Sequence, residues 1–202
     1  MSATRGRLIG VLTFLASLAV AGAAAAAGPL DPPGYQKAFS CSACHGFAGN
    51  SQTATTPILA GMAPWYFKKT IADYASGKRP AAEMEPFAKM VAILGVDEVA
   101  AYFAAQAKQP SPIKLDPATV DRGRVASAPC VVCHGPNGRG DASRGIPDIT
   151  GQPPGYLQLQ MLKFKADTRS PQDPALKALK VLMATIPDAT FGDLAAYYSS
   201  LR

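Results

Sequence analysis

The sequence predicts an all-α chain in which one helical unit occurs twice. Three observations lead there: a five-residue motif recurs 89 positions later, further residues match at nearly the same offset, and apolar residues fall at intervals of three and four without period-two alternation. The motif is Cys41-Ser42-Ala43-Cys44-His45, repeated as Cys130-Val131-Val132-Cys133-His134. Gly61 and Gly151, Tyr66 and Tyr156, and Arg79 and Arg169 pair at an offset of 90, and Ala100-Ala101-Tyr102-Phe103 is echoed by Ala195-Ala196-Tyr197-Tyr198 at 95. The drift places small insertions in the second copy, mostly between Arg169 and Tyr197.

In chain order, residues 1–27 carry basic Arg5 and Arg7, an apolar run from Leu8 to Val20 and an Ala25-Ala26-Ala27 cleavage site, which reads as a secretory signal. An uncleaved anchor is the alternative, because Leu8–Ala27 is 20 residues long. The first domain is expected over 28–108. It has a short leading helix at Tyr35–Cys41, a helix at Pro64–Ala75 and a closing helix at Val91–Gln106. Lys108-Gln109-Pro110-Ser111-Pro112 breaks any helix, so a linker is expected over 109–116. The second domain, 117–202, repeats the pattern with helices at Val120–Ala126, Gly155–Lys165 and Phe191–Leu201. Gly46–Pro57 and Gly135–Pro154, rich in glycine and proline, read as loops.

The motif carries the chemistry. Cys-x-x-Cys-His is the attachment signature of c-type haem: two thiols three positions apart form thioethers with the porphyrin vinyl groups, and the adjoining His takes one axial position on iron. The chain has four Cys and two His, and all six lie in the two motifs. A four-cysteine zinc site would have to join knuckles 89 residues apart and leaves both histidines without a role. Disulfides or thioredoxin-like dithiols do not call for a His in the same place twice. The expected cofactors are therefore two covalent haem c groups, held by Cys41, Cys44, Cys130 and Cys133, with His45 and His134 on the iron.

At this level the chain resembles the dihaem cytochromes c of the cytochrome c4 type, two class I cytochrome c domains in tandem. The resemblance spans about residues 29–202 and rests on the haem motifs continued as His-Gly-x-x-Gly (His45 to Gly49, His134 to Gly138). It rests also on Pro-x-Leu-Ala-Gly at Pro57–Gly61 with the weaker Pro147–Gly151, on Gly-Gln-x-x-x-Tyr-x-x-x-Gln from Gly151 to Gln160, and on the Ala-Ala-Tyr helices. It implies that the Pro57 and Pro147 carbonyls accept from the ligating histidines. Gly34 and Gly123 would let the first and last helices of each domain cross against Tyr102 and Tyr197. Arg79 and Arg169 would pair with haem propionates.

The resemblance also implies a methionine as the second axial ligand. Met62, Met84, Met90, Met161 and Met183 lie beyond the signal. Met84, 18 residues before Tyr102, is the expected ligand of the first iron, with Met90 its rival. In the second half Leu179 stands 18 residues before Tyr197, and Met183 is the methionine left nearby. Either Met183 reaches the iron or that haem lacks a methionine.

The formal charge of +6 falls to +4 without Arg5 and Arg7, and four propionates would bring it near neutral. The basic balance is no argument for nucleic acid. The expected protein is a periplasmic, non-enzymatic carrier of single electrons between redox protein partners, a donor and an acceptor, touching the membrane only if the signal stays. Two rivals are a cytochrome subunit of a periplasmic dehydrogenase of the flavocytochrome type, and a haem enzyme or gas sensor if the second haem has an open site.

Overall fold

The computed structural model describes residues 34–202; the expected signal peptide lies outside them. Among these residues the chain forms ten α-helices and no strand. The first half contains α1 (Tyr35–Ala38), α2 (Ser42–His45), α3 (Pro64–Ala75), α4 (Glu85–Leu94) and α5 (Val96–Ala105). The second contains α6 (Pro117–Ala126), α7 (Val131–His134), α8 (Pro154–Lys165), α9 (Lys177–Thr185) and α10 (Asp188–Ser200). An extended stretch without regular structure joins α5 to α6.

Each half closes on its own core. Phe67, Ile71 and Tyr74 of α3 meet Ala88 and Val91 of α4 and Val99, Tyr102 and Phe103 of α5. Leu157 of α8 meets Met183 of α9 and Phe191, Leu194 and Tyr198 of α10. The leading helix of each half packs on the closing one, α1 on α5 and α6 on α10. The crossing needs glycine. A Cβ on Gly34 would lie 2.4 Å from the Glu98 carbonyl oxygen, and one on Gly123 would lie 2.0 Å from that of Asp193. Both are far inside contact distance, and the neighbours across the crossing include Tyr102 and Tyr197, the partners expected from the sequence.

Two departures from the expected helices have local causes. The closing helix of the first half is not continuous over Val91–Gln106. Gly95, at φ 122°, breaks it into α4 and α5. The helix expected at Val120 begins three residues earlier, because Asp116 caps it by accepting from the Ala118 and Thr119 amides and Pro117 fills the first turn. A proline there loses no hydrogen bond and starts a helix as readily as it stops one.

The halves are clamped together by one face of α8 and the turn before it. Gln152, Tyr156 and Gln160 are spaced by four, so they line up on one side of a helical path. All three bond to the first half. The Gln152 side-chain amide accepts from Ile58 N–H and donates to Ile58 C=O, both at 2.9 Å and both buried. The Tyr156 amide donates to the Ala54 carbonyl at 2.9 Å. Lys108, from the connecting stretch, donates to the Thr150 carbonyl.

Candidate haem sites

The motif turns are built alike. In each half a single 3-10 turn brings the first Cys in (Phe39–Cys41, Ala128–Cys130), and a one-turn helix carries the second Cys and the His. A glycine with positive φ (Gly46 at 76°, Gly135 at 71°) then turns the chain away. His45 Nδ1 lies 2.8 Å from the Pro57 carbonyl oxygen and His134 Nδ1 lies 3.1 Å from that of Pro147. A carbonyl can only accept, so Nδ1 carries the proton and Nε2 keeps its lone pair for a metal. Burial disfavours the charged form of both rings, and the proline carbonyl works in the opposite sense. A neutral imidazole is what iron requires. Burial likewise pushes the Cys41 and Cys130 thiols up.

Beside His45 lies a cavity of about 460 Å³. Cys41, Cys44 and His45 form part of its wall, with Phe67, Ile71 and Val91 as apolar lining. Met84 faces it from the N-terminal end of α4, as does Met62; Met90 is not among its lining residues but packs against the surrounding core. Tyr156, Leu159, Gln160 and Lys163 of α8 close the far side, so the second half completes the first half's pocket.

Arg79 and Arg169 sit at this seam in a reciprocal arrangement. Arg79, 3% exposed, donates to the Tyr156 hydroxyl at 2.9 Å and to Gln160 Oε1 at 2.8 Å, and lies over the Tyr74 ring. Arg169 donates to the Tyr66 hydroxyl at 3.0 Å and to the same Gln160 oxygen at 2.8 Å, and lies over Phe164. Burial alone would raise the Tyr66 hydroxyl, but the two guanidinium groups bring it down to about 8. Among the described residues neither arginine forms an ion pair with a carboxylate. A buried cation beside a half-buried one, without a protein anion, favours an anionic ligand. Propionates are such anions, so the site fits haem in its apolar wall, its thiols, its imidazole and its charge.

The second half places its predicted residues differently. Cys130 and Met183 are buried in one core cluster, while Cys133 is exposed. Met183 belongs to the last turns of α9, and Leu179 lies one turn earlier on the same core-facing stripe. Leu176, not a methionine, occupies the position before the first residue of α9 that Met84 holds before α4.

Residues 120–202 match the family model described as cytochrome c. The cytochrome c4 of Pseudomonas aeruginosa is 31% identical over 199 residues, covering 95% of this chain and 98% of that one. The chain belongs to the cytochrome c4 family. The crystal structure of reduced cytochrome c4 from Pseudomonas stutzeri superposes with a TM-score of 0.72 at 27% identity, covering 84% of this chain and 97% of that one. A thiosulfate dehydrogenase electron acceptor of Stutzerimonas stutzeri is 32% identical over 154 residues, 68% of each chain. Membership makes the chain an electron-transfer cytochrome with covalent haem c and redox protein partners, a carrier and not an enzyme. No helix among the described residues is long and apolar enough to cross a membrane.

The sequence reading missed the roles of Gln152, Tyr156 and Gln160. Their spacing of four was visible in the quoted motif, but nothing local says that this face meets the other half. The 90-residue pairing of Tyr66 with Tyr156 and of Arg79 with Arg169 was the available signal.

Proposed function

We propose that the chain is a periplasmic two-site relay made of units 28–108 and 117–202 joined through 109–116. His45 and Met84 hold one iron; His134 and Met183 hold the other. Bound haem c supplies a one-electron iron couple. The protein's part is to fix ligands, exclude water and set charge. Pro57 and Pro147 orient the imidazoles. Thioether sulfur, a soft donor, favours the reduced iron. Arg79 and Arg169 take the propionates at the seam between the two units.

The observation that carries this reading is the cavity beside His45, lined by Cys41, Cys44 and Met84 and closed by α8 from the other unit. For the second iron the support is burial of Met183 in the cluster that contains Cys130. The test is the weak absorption band of oxidised iron–thioether bonding, quantified per haem. Two equivalents per chain are expected; one equivalent leaves the second iron without methionine and favours the haem-enzyme or gas-sensor reading.

The donor is proposed to be an exported dehydrogenase, with a further redox protein as acceptor. Similarity to a thiosulfate dehydrogenase electron acceptor supports this and also keeps the subunit reading alive. Co-purification in a fixed ratio with a dehydrogenase at high salt would establish a subunit. Free diffusion with salt-dependent reduction would establish a carrier.

A further inference from the structure

The last helices of the two halves differ at one buried position. Phe103 in α5 is fully buried and packs on Gly49; its repeat counterpart in α10 is Tyr198, 3% exposed and packed on Gly138. The extra atom is a hydroxyl, and it is buried without a hydrogen-bond partner. Such groups are rare, because a buried donor left unmade carries its desolvation cost. Tyr198 and Cys130 belong to the same buried cluster, and the groups that act electrostatically on the Tyr198 hydroxyl include the Cys130 sulfur and the Ser127 hydroxyl. Ser127 already donates its proton to the Arg124 carbonyl at 2.8 Å.

Resting on the haem reading above, we propose that Tyr198 is a tuning residue for the second haem, its hydroxyl donating to the Cys130 sulfur once that sulfur has become a thioether. The chemistry fixes the direction of the bond. When Cys130 adds across a vinyl group, the thiol proton goes to the vinyl carbon and the carbon–sulfur bond forms, so the sulfur keeps lone pairs and no hydrogen. It can then only accept, and the unpartnered Tyr198 O–H is a donor in the same buried cluster. The first half differs at this position. Phe103 offers no donor at the equivalent position; the hydroxyls near Cys41 are that of its exposed neighbour Ser40, where water competes, and that of Tyr102, the residue before Phe103. A donor in a dry site acts more strongly than one in water. Drawing electron density from the ring edge disfavours the oxidised iron, so Tyr198 raises the potential of the second haem relative to what its ligands alone give.

The test is Tyr198→Phe in the full dihaem protein, with the two haems resolved by their paramagnetically shifted methyl resonances during redox titration. At fixed poise the reduced-to-oxidised ratio of the second haem should fall about three- to tenfold, the range of one modest hydrogen bond. That of the first should not move, and thermal stability of the holoprotein should drop. If both potentials stay and stability rises, the hydroxyl is an orphan and the proposal fails; it fails equally if both haems shift together. Ser127→Ala separates the remaining alternative: the second haem should keep its ratio, whereas a shift like that of Tyr198→Phe would mean that the hydroxyl serves Ser127.

Discussion

The two halves share a plan and differ at the iron. In the first, the residue proposed as distal ligand, Met84, sits just before α4 on the wall of an open cavity. In the second, the equivalent segment has folded into α9, which puts leucines at positions 176 and 179 and buries Met183 inside the core. A ligand presented from a helix end can swing on its backbone; one presented from a helix face moves only as far as its rotamers allow. Duplication kept the parts that attach the cofactor and let the parts that tune it diverge. The lesson is that attachment and tuning are separable in this fold.

Breaking attachment should have the largest effect. Replacing Cys41 and Cys44 with Ala should lower the mass of the mature protein by one haem while the second half stays loaded; a chain that loses both haems would show that the halves do not load independently. Next comes Met84→Ala. It should sharply lower one potential and open that iron to CO, since ligand identity moves haem potentials over a range of about 0.8 V. Met90→Ala should do neither, and the reverse outcome would exchange their roles. Met183→Leu should act in the same direction on the other haem but by less, because a ligand set on a helix face would be held less firmly by iron. CO binding to the wild type should already favour that haem, and a titration in which Met183→Leu changes nothing would reduce Met183 to packing.

The smallest effect expected is at the seam. Gln152→Ala removes two buried hydrogen bonds and strands the Ile58 N–H and C=O. It should cost about 2 kcal/mol in denaturant unfolding. Both potentials should stay nearly fixed; a large potential change would mean that the clamp positions the haems as well as the halves.

Sequence legibility follows the range of the forces involved. The haem motifs are set by chemistry within five residues, and α3 was readable to its ends because Pro64 starts it and an apolar stripe continues it. The glycine crossings were readable from the resemblance, and the carbonyl partners of the histidines likewise. Gly95 was passed over because one glycine inside an apolar run costs a helix only about 1 kcal/mol, too little to decide a break without the tertiary packing. The start of α6 was displaced in the sequence because Pro117 stops a helix as readily as it starts one, and the Asp116 cap decides between the two. The seam was invisible for a different reason: which face of α8 meets the other half depends on contacts about 80 to 100 residues away in the chain.

Gln160 carries a consequence for assembly. Its one amide oxygen accepts from both Arg79 and Arg169, which brings a buried and a half-buried positive group within two hydrogen-bond lengths of each other. Like charges so close repel, and low polarity around them magnifies the repulsion. Anionic groups arriving with the cofactor turn that repulsion into attraction. A chain folded without its pigment would hold its halves under tension, and one fully loaded would hold them shut. Under the proposed propionate pairing, the seam would tie the rigidity of the finished protein to the completeness of its cargo.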